Sequence, residues 1–398
     1  MTRQQELVQT FEHLYGCGGN IRLFFAPGRV NLIGDHTDYN GGHTFPCALK
    51  LGFTAAVRLR SDQQVCLSSM LLDPGTVFRY DLHSQNEISQ RRASFDWVRT
   101  FLDMIRVFEE KGYMIPTGFE MLINGEIPTG TGLGVAGAME ALIAITLRGL
   151  YEYKDIGNRE LLDFCRKIDS IYTGVNSGMI RSCASLMGRE GYGLFISSQK
   201  MQYEFVPLEM KNAVFLMTDS RIRQKLTREM FFQRRSECEK ALKKLQVVAN
   251  VDDLCSLSTD RFESCKDVIM EPTYTKRARH VVYEDSRTVR AVSALKAGNP
   301  VRFGMLMNQS HESLKNNYEV SGPETDFIQE HACKIEGVYG SRITGVGKGG
   351  FVLTLLERDA VPAFKERIHH EYHSSFGLDP VFLDVEAGDG AREMTEQI

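Results

Sequence analysis

Residues 125–147 read GEIPTGTGLGVAGAMEALIAITL. The run before them, FEMLIN at 119–124, has the branched and aromatic content of a strand, and from residue 136 aliphatic residues continue at helical spacing. A strand, a glycine-rich turn and a helix therefore follow one another. In that order the helix N-terminus presents unpaired N–H groups and the positive end of its dipole to whatever lies over the turn, which suits a phosphate. No Lys-Ser/Thr pair follows the last glycine, so this is not a Walker A loop. Gly132, Gly134 and Gly137 do spell GxGxxG in the strand, turn and helix context of an NAD-binding doubly wound fold. That alternative requires a second strand ending in an acid about 20 residues further on. Glu152 and Asp155 stand near that distance, but YEYKDIGNRELL, from residue 151, reads as a helix end and a turn. A third reading leaves the glycines to close helix packing alone.

Around this stretch the chain alternates strand and helix signals. A polar, helix-like N-terminus precedes strand runs at 23–25, 53–60, 65–70 and 77–82, expected to form mostly a local antiparallel sheet, and a helix at 95–110. Downstream, helices fit 136–153 and 159–172, and strands fit 191–197 and 213–220. Helical spacing returns at 227–247, 283–297 and 301–317, before a strand at 351–357, a helix at 360–376 and a strand at 381–385. The alternation restarts after residues 205–212, which divides the chain into 1–208 and 209–398. There is no internal repeat or low-complexity segment.

Two further segments carry polar residues in suggestive patterns. Residues 26–46, APGRVNLIGDHTDYNGGHTFP, crowd Arg29, Asp35, His36 and Asp38 beside glycines that permit tight turns. Carboxylates at fixed positions can accept several hydroxyl protons, which is what a polyol pocket requires. A solvated loop with Asx-turns is the plain alternative, and the two acids with a His also allow a metal site. The segment RITGVGKGGFVLTLL repeats GxGxxG at Gly345, Gly347 and Gly350, but a strand follows it, so no helix N-terminus is available and the dinucleotide mechanism does not apply. A turn bringing backbone close to a ligand or to the first domain remains sensible.

Composition bounds the class of protein. At 398 residues the chain exceeds what one core usually supports, so two domains are expected. With 25% charged and 42% hydrophobic residues and a formal net charge of −4, it has neither a nucleic-acid footprint nor a polybasic membrane patch. The expected ligand is a small molecule. Nine cysteines lack CxxC or Cys/His metal spacing, and no apolar run reaches the length of a signal core or a membrane span. The expectation is a cytoplasmic protein of a reducing compartment.

Residues 26–42 are similar to the galactokinase signature APGRVNLIGEHTDYNGG, with Asp35 where the family carries Glu. Residues 128–140 resemble that family's nucleotide loop PxGAGLSSSASxE, and residues 344–351 its third motif TGAGFGGC. Similarity extends through GVNSG at 174–178, QRRSECE at 233–239, RARHVV at 277–282 and FGMLMNQSHESL at 303–314, nearly the whole chain. The resemblance implies the α+β, two-domain GHMP kinase fold, with an N-terminal domain like ribosomal protein S5 domain 2, a ferredoxin-like C-terminal domain and a site between them. It also implies galactose, ATP and magnesium, with phosphate transferred to the sugar's C1 hydroxyl.

By that resemblance Asp35, His36, Asp38, Gly178 and Phe231 fall at sugar positions, and Pro128, Gly130, Gly132, Leu133 and Gly134 at nucleotide positions. Arg29 and Arg181 fall at catalytic ones. The departures concentrate in the chemistry. Arg181 stands at the family's catalytic Asp, and a guanidinium cannot accept the hydroxyl proton. Gly134 stands at the serine that ligates magnesium, and Asp169 at the second metal ligand, a Glu in the family. Phe231 replaces a Tyr, and Lys348 and Phe351 replace Phe and Cys of the third motif. The expectation is a sugar-binding protein with phosphoryl transfer weak or lost and its magnesium site altered. A working sugar kinase with a rebuilt site is the alternative, and Arg181 is expected to pair with Asp35, Asp38 or Asp169 or to recruit an anion.

Overall fold

The computed structural model describes residues 2–71, 75–83, 97–128, 130–173, 180–223, 228–345 and 347–394. The first half runs α1 (Arg3–Tyr15), β1 (Arg22–Ile33), β2 (His43–Leu59), β3 (Gln64–Ser69), β4 (Phe78–Asp81), α2 (Trp97–Glu110), β5 (Phe119–Gly125), α3 (Val135–Leu150), α4 (Asn158–Thr173), α5 (Ile180–Met187), β6 (Tyr192–Ser197) and β7 (Gln202–Pro207). The second continues with β8 (Ala213–Asp219), α6 (Arg228–Leu245), α7 (Thr259–Cys265), α8 (Pro272–Lys296), α9 (Pro300–Ser313), α10 (Pro323–Ala332), β9 (Val338–Ile343), β10 (Phe351–Glu357), α11 (Val361–Phe376), β11 (Val381–Asp384) and β12 (Arg392–Glu393).

Two sheets organise these elements. The first has the order β12-β1-β2-β5-β3-β4, with β6 joining β2 and β7 joining β6. Its pairs are antiparallel except β3 with β5, so the expected local antiparallel sheet gives way to one parallel crossover, closed by α2. The second sheet, β11-β8-β10-β9, is antiparallel throughout. The chain end returns to the first sheet, where Phe24 and Phe25 pair with Glu393 and Arg392.

Period-2 alternation ties the halves together. On β10, Phe351, Leu353 and Leu355 face the core shared with the first sheet and α3, whereas Val352 and Leu356 face a second core under α6, α8 and α11. Burial of both strand faces explains the run FVLTLL, apolar except for Thr354, whose hydroxyl is bonded to Ser341 Oγ at 2.9 Å. The NAD reading fails on the same frame: residues 151–157 after α3 turn straight into α4, and Glu152 and Asp155 end no strand.

The strand expected at 23–25 in fact continues to Ile33, with register shifts between Pro27 and Arg29 and between Asn31 and Ile33. Those bulges break the alternation that marks a strand in sequence, while Val30, Leu32 and Ile33 are fully buried. Residues 26–46 are thus two long strands joined by a turn at 34–42, not a solvated loop. Helix α8 begins at Pro272, eleven residues before its expected start, with Pro at its first position and the Glu271 side chain capping Thr273 N–H. Its first turns are basic in sequence, yet Arg277 is buried against Glu237 and Glu319. The helix expected over 301–317 widens at Leu314–Tyr318 into a π-helical turn. Helices α5, α7 and α10 and strands β7, β9 and β12 were not expected from the sequence. All nine cysteines are free thiols, and among the described residues no helix is long and apolar enough to cross a membrane.

Candidate functional site

The turn at 34–42 is fixed from the second half by α8. Glu284 accepts from Gly34 N–H at 3.1 Å and from Ser310 Oγ at 2.6 Å. Burial pushes Glu284 up, but Arg287, His280 and Arg342 outweigh it and hold the carboxylate down at about 2. Asp285 accepts from His43 N–H at 2.6 Å. His280 Nε2 lies 3.2 Å from the Asp35 carbonyl, which can only accept, so that nitrogen carries the proton and Nδ1 takes the Ser313 hydroxyl at 2.9 Å. Burial lowers His280 to about 3, in keeping with a neutral ring.

Within the turn the sequence-derived sugar positions have different fates. Asp35 is 7% exposed and is claimed on both sides, by Asn31 Nδ2 at 2.9 Å and by a short ion pair with Arg342. Arg342 is wholly buried and also donates to the Asn31 and Leu32 carbonyls and to Ser310 Oγ, so β9 clamps the end of β1. His36 is buried, sits at φ 66°, and has Nδ1 at 2.8 Å from Tyr39 Oη, while Nε2 has no hydrogen-bond partner among the described residues. Burial lowers it to about 4. Asp38 is only half-buried, and its carboxyl is pushed up to about 6 by desolvation against the opposing pull of Arg29. Phe231 packs edge-on against Tyr39, whose hydroxyl is bonded to Tyr318 Oη at 2.8 Å. Gly178 lies outside the described residues. Among the described residues no group of three His, Cys, Asp or Glu is placed to hold a metal.

The glycine-rich turn meets β1 directly. Arg29 N–H donates to the Leu133 carbonyl at 2.9 Å, and the buried Leu133 anchors the turn in the core. Thr131 Oγ1 caps the Pro128 carbonyl at 2.6 Å. Gly134 is the N-cap of α3 at φ 74°, without a side-chain cap, and Gly130 faces Arg223 of the second half, itself paired with Asp219 at 3.1 Å. Burial lowers the Arg29 guanidinium, partly offset by Asp38 and Asp35, and Arg181 and Asp169 also lie within its electrostatic reach.

Behind the turn lies a cluster that joins three elements. Arg181 on α5 forms a short ion pair with Asp169 on α4 and reaches to 3.8 Å from Glu140 on α3, which accepts from Ser182 Oγ at 2.7 Å. Asp169 and Glu140 are each 1% exposed. Burial works against the Arg181 charge, but Glu140 and Asp169 raise its proton affinity overall. Burial drives Glu140 well above the usual carboxylate range, with Arg181 opposing and Asp169 adding to the rise. The internal pair expected of Arg181 is therefore present, with Asp169. Helices α3 and α5 meet closely enough that a Cβ on Gly137 would lie 2.0 Å from the Arg181 carbonyl oxygen.

The third glycine segment is held by backbone: Lys348 N–H donates to Val320 O at 2.6 Å and Gly350 N–H to Ile222 O at 2.7 Å. Thr344 Oγ1 reaches Asn31 O at 2.8 Å, so this turn does meet the first half. Sequence reasoning missed Arg342, Glu284, His280, Arg223 and Glu140. Arg342 and Glu140 begin or end motifs already singled out and His280 lies within RARHVV at 277–282, whereas Glu284 sits on a polar helix face with no local signal.

Strand β1 thus meets both the 128–134 turn and the third glycine segment, and the chain that carries these motifs is similar to known proteins. Residues 9–59 match the family model described as the galactokinase galactose-binding signature, 99–189 the N-terminal domain of GHMP kinases and 291–374 their C-terminal domain. The galactokinase of Clostridium beijerinckii is 38% identical over 372 residues, covering 94% of each chain. That of Exiguobacterium sibiricum is 38% identical over 396 residues, covering 99% of each. The crystal structure of Lactococcus lactis galactokinase complexed with galactose superposes with a TM-score of 0.93 at 35% identity, over 99% of this chain and 100% of that one. Identity of this order along the full length, with the α+β two-domain architecture in common, settles the relationship: the chain belongs to the galactokinase family of GHMP kinases.

Proposed function

We propose that this chain binds galactose or a related monosaccharide at the 34–42 turn and a nucleotide at the 128–134 turn, and transfers phosphate to the C1 hydroxyl weakly or not at all. The Arg181–Asp169 ion pair carries this reading. It puts a permanently protonated group where the resemblance implies a proton acceptor. A positioned base is worth about 10²–10⁴ in rate, or roughly 3–5 kcal/mol of barrier. Arg29, Asp38, His36 and Phe231 surround the sugar position in this account, and Asp35 shapes it through Arg342. We place the protein in the cytoplasm, where nine free thiols stay reduced.

A working kinase with a rebuilt site has one observation in its favour. Burial pushes the Asp38 carboxyl up to about 6 against the pull of Arg29, close to what a general base needs at neutral pH. The test that separates the readings is calorimetry with galactose beside a coupled assay of ADP release. Sugar binding without appreciable turnover supports a binding protein. Turnover that rises through pH 6 and disappears in Asp38→Asn supports the rebuilt site.

A further inference from the structure

The resemblance puts a divalent metal between a serine hydroxyl at position 134 and the acid at position 169. The side chains present do not fit that group. Gly134 supplies no oxygen from its side chain, and Asp169 is already paired with Arg181. Glu140, the neighbouring acid, is occupied by the Ser182 hydroxyl on one side and approached by Arg181 on the other. The order of the charges matters as much as their number. The Arg181 side chain keeps 27% of its exposure, whereas those of Asp169 and Glu140 keep 1% and 2%. Arg181 is thus the one member of the cluster whose side chain keeps some contact with solvent, and the two acids are closed off from it.

Granting the nucleotide site proposed above, on which this rests, we infer that Arg181 is a built-in cation standing in for the divalent metal, and that a nucleoside triphosphate binds this chain without one. The polyphosphate would be countered by fixed charge. The Arg29 backbone is tied to the turn through the Leu133 carbonyl, Gly134 leaves the first N–H groups of α3 without a side-chain cap, and the Arg181 backbone packs against Gly137 in the first turn of that helix. Guanidinium groups pair with phosphate oxygens in planar, two-point fashion, so the geometry favours the bare anion. A triphosphate that carries magnesium brings less negative charge to these cations and brings a metal toward Arg181.

Calorimetric titration of ATP into the protein, once with excess EDTA and once with excess magnesium, tests this directly. The expected result is an affinity in EDTA equal to or tighter than in magnesium, with magnesium alone leaving the melting temperature unchanged. Magnesium that tightens ATP by about tenfold or more overturns the inference. No ATP binding in either buffer removes the nucleotide site and this inference together, while galactose binding still reports on the sugar site. In Arg181→Asp, magnesium alone is expected to raise the melting temperature, and an unresponsive folded variant counts against the substitution of one cation for another. Should that variant fail to fold, the two titrations of the unmodified protein decide the matter.

Discussion

A Cβ built on Gly134 would lie 2.6 Å from Cγ of Arg29, so the glycine at the head of α3 and the arginine of β1 occupy adjoining space, and a side chain at 134 must push Arg29 aside. The backbone there has φ 74°, a left-handed conformation that disfavours serine. Gly134→Ser is therefore expected to cost about 1–3 kcal/mol and to displace Arg29, not to restore an oxygen ligand in place. Thermal denaturation checks it: an unchanged melting temperature would show that the turn accommodates the hydroxyl freely. For the same reason, any gain in turnover from Arg181→Asp with Gly134→Ser should exceed that of either change alone only if the turn readjusts.

The Arg342–Asp35 pair is buried on both sides and bridges β9 to the 34–42 turn. Removing one partner leaves the other charged and unpaired, at a cost of about 3–5 kcal/mol. Arg342→Ala should lower the melting temperature strongly and weaken galactose binding even where the protein remains folded. Undiminished affinity in a folded variant would separate this clamp from the sugar site.

Glu140 gives a pH signature. Its proton affinity is raised in the folded state, so its contribution is complete below its unfolded value of about 4.5 and is lost as pH rises through the folded one. Glu140→Gln removes that dependence while keeping an acceptor for Ser182. The variant is expected to gain melting temperature relative to the parent at pH 8 compared with pH 5. An equal difference at both pH values would contradict a protonated Glu140.

Asp38 should govern the pH dependence of sugar affinity. Its folded value near 6 means that the carboxylate, the form that accepts hydroxyl hydrogens at both oxygens, predominates at pH 7 and is the minor form at pH 5. Galactose is expected to bind about tenfold more weakly at pH 5 than at pH 7, with Asp38→Asn flat across that range. A flat profile in the parent protein would remove Asp38 from the contact.

Much of this architecture was legible from local pattern. The strand at 119–124 and the helix after the glycine-rich turn stand close to their expected places, the helix ending at Leu150 and not at 153, because small glycines and an aliphatic run leave few other structures. The length of β1 was not legible, since its bulges and the polar residues Arg29 and Asn31 interrupt the alternation that marks a strand. Nor were the partners of the turn: His280 and Glu284 come from 240 or more positions away and act through burial, which no local spacing encodes. Arg181 was legible as a departure, and its pairing followed from the cost of burying a lone guanidinium. That Asp169 would be the partner and Glu140 the neighbour depended on how α3, α4 and α5 pack.

The most direct test is side-by-side assay of galactose 1-phosphate formation by this protein and by the Lactococcus lactis galactokinase, with galactose binding to both measured under the same conditions. Binding of galactose by both, with turnover by this chain lower by at least about a hundredfold, is the predicted outcome. Galactose 1-phosphate formed at a rate comparable to that of the relative would contradict it.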